Sequence, residues 1–251
     1  MATVPKQRRA REVKYPTTDG KPMAETELHI DELIEGLQVL RDRFAGEPNV
    51  YVGGNMLLYY EEGKPKSRKA PDVMVVKGVP SQPERRSFKV WVEKAVPCFI
   101  LEATSKKTAR EDQEGKRLLY QRLGVREYFL FDPLHEYLER QLMGYRLVGG
   151  KYEPLTPDDG GGLVSEELGM RLVAEEAHVG LFRLDTGARV PNPMQVYELQ
   201  EQAERRAAKE QQRAEKSERR ATELERELER LRALLPPSSE GTASQNGGGA
   251  H

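Results

Sequence analysis

The chain has 251 residues, room for one medium domain with an appendage or for two small domains. Its net charge is −1 with 32% charged and 37% hydrophobic residues, so no global basic field draws it onto nucleic acid, and any action on a polyanion must rest on a local site. The one cysteine, Cys98, excludes an intrachain disulfide and points to a reducing, cytoplasmic setting, and no apolar run is long enough to span a membrane.

Residues 1–14 read as a basic flexible arm carrying Lys6, Arg8, Arg9, Arg11 and Lys14, without the apolar segment of a secretory signal. Asp19-Gly20-Lys21-Pro22 marks a turn. From Glu25 to Phe44 the apolar residues Leu28, Ile30, Leu33, Ile34, Leu37, Leu40 and Phe44 follow helical spacing, and Gly46 and Pro48 end that helix. Val50-Tyr51-Val52 and Met56 to Tyr60 are short strand-forming runs. Ala70-Pro71-Asp72-Val73-Met74-Val75-Val76 predicts an apolar strand opened by an acid. Phe88 to Val92, around the only tryptophan, predicts a short strand or helix. Pro97 to Ser105 predicts a second apolar strand with Glu102 near its end.

Thr108-Ala109-Arg110-Glu111 fits a capping box, the start of a helix whose apolar side is Leu118, Leu119 and Leu123 and whose stop is Gly124. Val125 to Asp132 is another strand, closed by Asp132-Pro133. Strand, helix, strand at this length reads as a crossover between neighbouring parallel strands. The short segments from Tyr137 to Val190 read as hairpins at the edge of the sheet, with Gly160-Gly161-Gly162 a flexible tip rather than a phosphate loop.

The remainder differs in kind. Val196, Gln200, Ala203, Ala207, Glu210, Ala214, Ser217, Ala221, Leu224, Leu228, Leu231 and Leu235 step by four and three, the 3.5-residue period of a left-handed coiled coil. With Val196 at d, the g residues Arg213, Arg220 and Glu227 face the e residues Glu218, Glu225 and Arg232 of a parallel partner, and all three pairs attract. That pattern predicts a homodimer through the coil, yet it also fits a solitary charged helix held by i,i+4 pairs. Pro236-Pro237 stops the helix. The expected organisation is a basic arm at 1–14, a catalytic domain at 15–193, a coiled-coil helix at 194–235 and a disordered tail at 236–251.

The chemistry concentrates on two acids. An ionised carboxylate on a buried strand costs several kcal/mol unless it is paired or binds a metal. If the Asp72 and Glu102 strands are neighbours, their carboxylates converge on one hard cation such as Mg²⁺, which needs only one or two carboxylates beside water and phosphate oxygens. Such an ion neutralises a phosphate and activates a water, the chemistry of phosphodiester cleavage. The main-chain carbonyl of Ala103 is a candidate further ligand. Thr104 shares a strand face with Glu102, and a lysine there would suit the reaction, but the position holds none. Lys116 shares a helix face with Asp112 and Tyr120 and has the reach to act, and Lys106 in the turn is the second choice. Cys98 reads as a small buried hydrophobe, and the scattered histidines offer no zinc spacing.

Pro71-Asp72, then Glu102-Ala103-Thr104-Ser105-Lys106, then Asp112, Lys116, Tyr120 and Gly124 to Pro133 resemble the Uma-two family of bacterial endonucleases, within the PD-(D/E)XK, restriction-endonuclease-like superfamily. The segment from Asp19 to Glu27 and the Tyr51 to Tyr60 strands are similar to one branch of it. The resemblance covers about Tyr15 to Pro193. It implies an α/β fold with a central mixed sheet flanked by helices, a Mg²⁺-dependent site (Mn²⁺ as substitute) and DNA as substrate. Asp72 and Glu102 then correspond to the superfamily's two acids, and the usual lysine position falls on Thr104, with Lys116 taking its place. Glu25 or Glu27 would correspond to the superfamily's first-helix acid. Three function classes are open to such a chain: a metal-dependent endonuclease, a nucleic-acid-binding or regulatory protein that cleaves weakly, and an assembly protein whose business is the coil.

Overall fold

A computed structural model describes residues 13–17 and 36–234. The Asp19 turn, Glu25, Glu27, residues 1–12 of the arm and the tail lie outside the described residues. The chain divides into two units, between Gln195 and Val196.

In the first unit, a six-stranded mixed sheet runs in the order β1 (Val50–Gly53), β4 (Val73–Lys77), β6 (Phe99–Ala103), β7 (Glu127–Phe131), β8 (Leu142–Val148) and β9 (Lys151–Pro154). Every pairing is antiparallel except β6 with β7, which the helix α3 (Arg117–Leu123) connects as a crossover. β2 (Leu58–Tyr59), β3 (Arg68–Lys69) and β5 (Phe88–Lys89) make a small second sheet, and β5 runs directly into the one-turn helix α2 (Val90–Glu93). The stretch around Trp91 is therefore both strand and helix.

The central strands are apolar at nearly every position because both faces are covered. Alternation sorts their side chains. Val73, Val75, Phe99, Leu101, Phe129 and Phe131 enter one core with Val39 and Leu40 of the helix at 36–43 (α1). Met74, Val76, Ile100, Tyr128 and Leu130 enter the other with Leu119 and Tyr120 of α3. Glu102 has the parity of Ile100 and so points to the α3 face.

The hairpins expected at one sheet edge are split. β8 and β9 extend the main sheet, but β10 (Leu163–Ser165), β11 (Met170–Glu175) and β12 (His178–Arg183) form a separate three-stranded sheet. Its Leu163, Met170, Leu172 and Leu181 pack into the α1-side core. The buried Glu127 ties the two sheets together. Its carboxylate accepts hydrogen bonds from the Ser165 hydroxyl, the Glu166 amide at 2.9 Å and the Arg146 guanidinium at 3.1 Å. Gly160-Gly161-Gly162 is a linker between β9 and β10 instead of a hairpin tip. The Asp158 carboxylate accepts from the Gly160 and Gly162 amides at 3.0 Å and pairs with Arg171, which orders the turn.

The helix after β6 departs from the predicted pattern in two ways. The capping box does not close: the Thr108 hydroxyl accepts from the Ser105 amide, and Glu111 pairs with Lys69 of β3. Residues Glu111–Lys116 are also π-helical. A π turn takes one residue more than an α turn, which rotates the face presented by the next turns of the helix. Leu118 is consequently exposed, and Leu119 with Tyr120 forms the buried side.

The second unit continues the helix α4 (Pro193–Leu234), 42 residues in all. Its described side chains from Tyr197 to Ala233 are all exposed. No helix among the described residues is long and apolar enough to cross a membrane.

Candidate active site

The register Val73↔Leu101 brings the entrance of β4 alongside the exit of β6. Asp72 and Glu102 therefore face each other across adjacent strands, although 30 residues separate them. The Ala103 amide donates to Asp72 Oδ2 at 2.8 Å, and the Asp72 amide donates to Glu102 Oε2 at 3.3 Å. Gly54, just past the end of β1, supports this entrance. A Cβ there would lie 2.0 Å from the Asp72 carbonyl oxygen, so only glycine permits the approach.

Above the strands, the π-helical turn supplies the rest. Lys116 Nζ lies 2.9 Å from Glu102 Oε2 and 2.9 Å from Asp112 Oδ1. The Tyr120 hydroxyl donates to Glu102 Oε1 at 2.9 Å, and the Tyr128 hydroxyl donates to the Asp112 carbonyl at 3.0 Å. Glu102, Asp112, Lys116 and Tyr120 are all buried. The structure thus brings together Asp72, Glu102 and Lys116, whereas Lys106 stands exposed in the turn. Asp112 completes the group as a third acid. Its spacing of four from Lys116 on a helix was the available signal in the sequence. Gly54 carried no such signal, because its role depends on a strand that only pairing brings near.

Three carboxylates share one ammonium, and the electrostatics reflect the imbalance. Burial pushes the Glu102 carboxyl up to about 8, with Asp72 and Asp112 adding to the rise and Lys116 opposing it. Burial also raises Asp112, again against Lys116. For Lys116, burial works against the charge, but Glu102, Asp112 and Asp72 outweigh it and hold the ammonium above the ordinary lysine range. Burial keeps the Tyr120 hydroxyl protonated, as the donor its geometry requires. Cys98 lies apart: buried, donating to the Val75 carbonyl and pushed up to about 11 by burial, it is an inert thiol.

Among the described residues no three His, Cys, Asp or Glu side chains are arranged as a metal cage. Magnesium does not need one, since one or two carboxylates suffice beside water and a phosphate. Asp72 and Glu102 offer two hard oxygen donors. Asp112 Oδ1 meets the Lys116 ammonium, while the Thr104 hydroxyl, two residues after Glu102, is buried without a hydrogen-bond partner. An unsatisfied oxygen beside clustered acids fits a hard cation. A cavity of about 480 Å³ lies elsewhere on the same helical segment, lined by Ala109, Arg110, Gln113, Glu114, Arg117 and Tyr145. It includes none of the clustered residues, so the chemistry and this hollow do not coincide.

Residues 8–178 match the model of the Uma2 family, described as "Putative restriction endonuclease". The chain belongs to the Uma2 family. The match spans Asp72, Glu102, Asp112 and Lys116 and ends before α4, so the acid–lysine cluster sits inside a Uma2 nuclease domain. Comparison with curated proteins returns no match. Among solved structures the chain is similar to one described as a "putative nuclease belonging to DUF820 from Anabaena variabilis ATCC 29413". The two are 14% identical over 61% of this chain and 81% of that one, with a TM-score of 0.42, too distant a likeness to carry an argument.

Proposed function

We propose that this Uma2 protein is a divalent-cation-dependent endonuclease that hydrolyses phosphodiester bonds in DNA at Asp72, Glu102 and Lys116. The observation that carries the reading is the buried Lys116 ammonium, shared between Glu102 and Asp112 beside Asp72. With three carboxyl groups around one ammonium, burial holds a proton on Glu102 up to about pH 8, and a divalent cation entering the cluster would take that proton's place. Asp72 and Glu102 would hold Mg²⁺, or Mn²⁺ in its place, and the bound ion supplies charge neutralisation at the phosphate and acidifies water.

The protein's own groups have distinct parts. The Ala103 amide fixes the Asp72 carboxylate, and the Tyr120 hydroxyl fixes Oε1 of Glu102, so both acids are pre-oriented. Lys116 is held protonated, which makes it a poor general base. Its role is electrostatic: to orient a phosphate oxygen and stabilise the charge that develops on it. Asp112 holds the ammonium in place.

The test is nicking of supercoiled plasmid DNA in Mg²⁺ or Mn²⁺ by the full chain and by Asp72→Ala and Glu102→Ala. Nicking by the parent chain, lost by more than about 100-fold in each folded variant, supports the site. Equal nicking by both variants refutes it. DNA binding without cleavage by the parent would favour a regulatory binding protein.

A further inference from the structure

We infer that α4 is one strand of a parallel two-chain coiled coil, and that the partner covering it is a second copy of this chain. Three leucines of α4, Leu224, Leu228 and Leu231, are each more than half exposed (52%, 54% and 53%). They recur at steps of four and three on a helix whose described side chains from Tyr197 onward touch no core. Such a stripe is the seam of a coiled coil when a partner of the same period lies along it.

Charge complementarity says which partner. In a parallel self-pair, Arg213, Arg220 and Glu227 face Glu218, Glu225 and Arg232 of the second copy, and each contact joins opposite signs. In an antiparallel pair, g faces g and e faces e. The runs Arg206, Arg213, Arg220 and Glu204, Glu218, Glu225 would then set like charges together near the centre. Stabilisation of a lone helix does not account for the same pattern. Lys216 and Arg220, Glu223 and Glu227, Glu225 and Glu229, and Arg226 and Arg230 are like-signed at i,i+4, against the opposite-signed Glu201 and Arg205, Arg206 and Glu210, Glu215 and Arg219, and Arg219 and Glu223. Within one helix attractive and repulsive pairs are thus mixed, whereas between two parallel copies the three charged g–e pairs from Arg213 to Arg232 all attract.

The inference is independent of the nuclease reading, and its test is the mass of the full chain in solution. Sedimentation equilibrium is expected to give about twice the 28.5 kDa chain mass. One variant reverses the e positions (E218R, E225R, R232E) and another reverses the g positions (R213E, R220E, E227R). Each alone is expected to sediment as a monomer, since its self-pairs become like-signed. Mixed one to one, they restore every g–e attraction and are expected to give a heterodimer of doubled mass. A monomeric parent chain, a trimer or larger assembly, dimers that survive either reversal, or a mixture that stays monomeric would each overturn the proposal.

Discussion

Replacing Lys116 by methionine removes one ammonium and keeps most of the side-chain volume. Each of its two 2.9 Å contacts is worth about 6 kcal/mol at an effective dielectric of about 20, before the cost of burying the charges is deducted. Removing one member of such a buried group leaves a net loss of about 3–5 kcal/mol. The loss should depend on pH in a stated direction. Glu102 titrates near 8, so at pH 5.5 it carries a proton and Lys116 faces less negative charge. At pH 8.5 Glu102 of the parent chain is ionised and paired with Lys116, whereas the variant, lacking the group that lowers Glu102, must either keep a proton there against the bulk pH or bury an unpaired carboxylate. Lys116→Met is thus expected to cost the full amount at pH 8.5, lowering the melting temperature by roughly 6–20 °C for a domain of this size, and clearly less at pH 5.5. Thermal melts of both proteins at the two pH values, without divalent cations, measure the difference. A cost that is equal at both pH values, or larger at the lower one, would refute the assignment of a shared buried charge cluster. Nicking assayed well below the variant's melting temperature should be abolished, as expected for the electrostatic role.

The same site makes two further claims that can be measured. Gly54→Ala should push the Asp72 carbonyl from its place, since no rotamer relieves a 2.0 Å contact between a Cβ and backbone, and nicking should fall while the far sheet stays folded. Unaltered activity would mean that Asp72 is not held as described. Cation binding should be linked to protons. Between pH 4.5 and about 8 the folded chain holds a proton on Glu102 that the unfolded chain has released, so cation-free stability falls as pH rises through that window. Because a bound cation must displace that proton, calorimetric affinity for Mn²⁺ should rise with pH up to about 8 and then level off. A pH-independent affinity between pH 6 and 8 would remove Glu102 from the ligand set.

The candidate site was readable in part because its members are marked by local pattern. Asp72 and Glu102 stand out as acids on runs that are otherwise apolar, and Asp112, Lys116 and Tyr120 fall at helical spacing. The strand–helix–strand crossover was similarly visible, and β6 and β7 do pair in parallel. Less visible were features whose cause lies far along the chain. Glu111 left its capping box because Lys69, 42 residues earlier, offers a better partner. Leu118 turned outward because a π turn shifted the helix. Glu127 carried no signal of its own in the strand from Val125 to Asp132, yet it joins two sheets through Ser165 and the Glu166 amide.

The division has a physical basis. Periodicity is a property of neighbouring residues, so the chain alone marks where a long helix runs and that acids interrupt two apolar strands, and it marks helix faces wherever the turns stay α-helical. Register and sheet membership depend on loop closures and on pairings between distant segments, which no local window contains. Only the fold could decide that Val73 lies across from Leu101, that Asp72 therefore meets Glu102, and that one lysine on a widened helical turn is set among three acids.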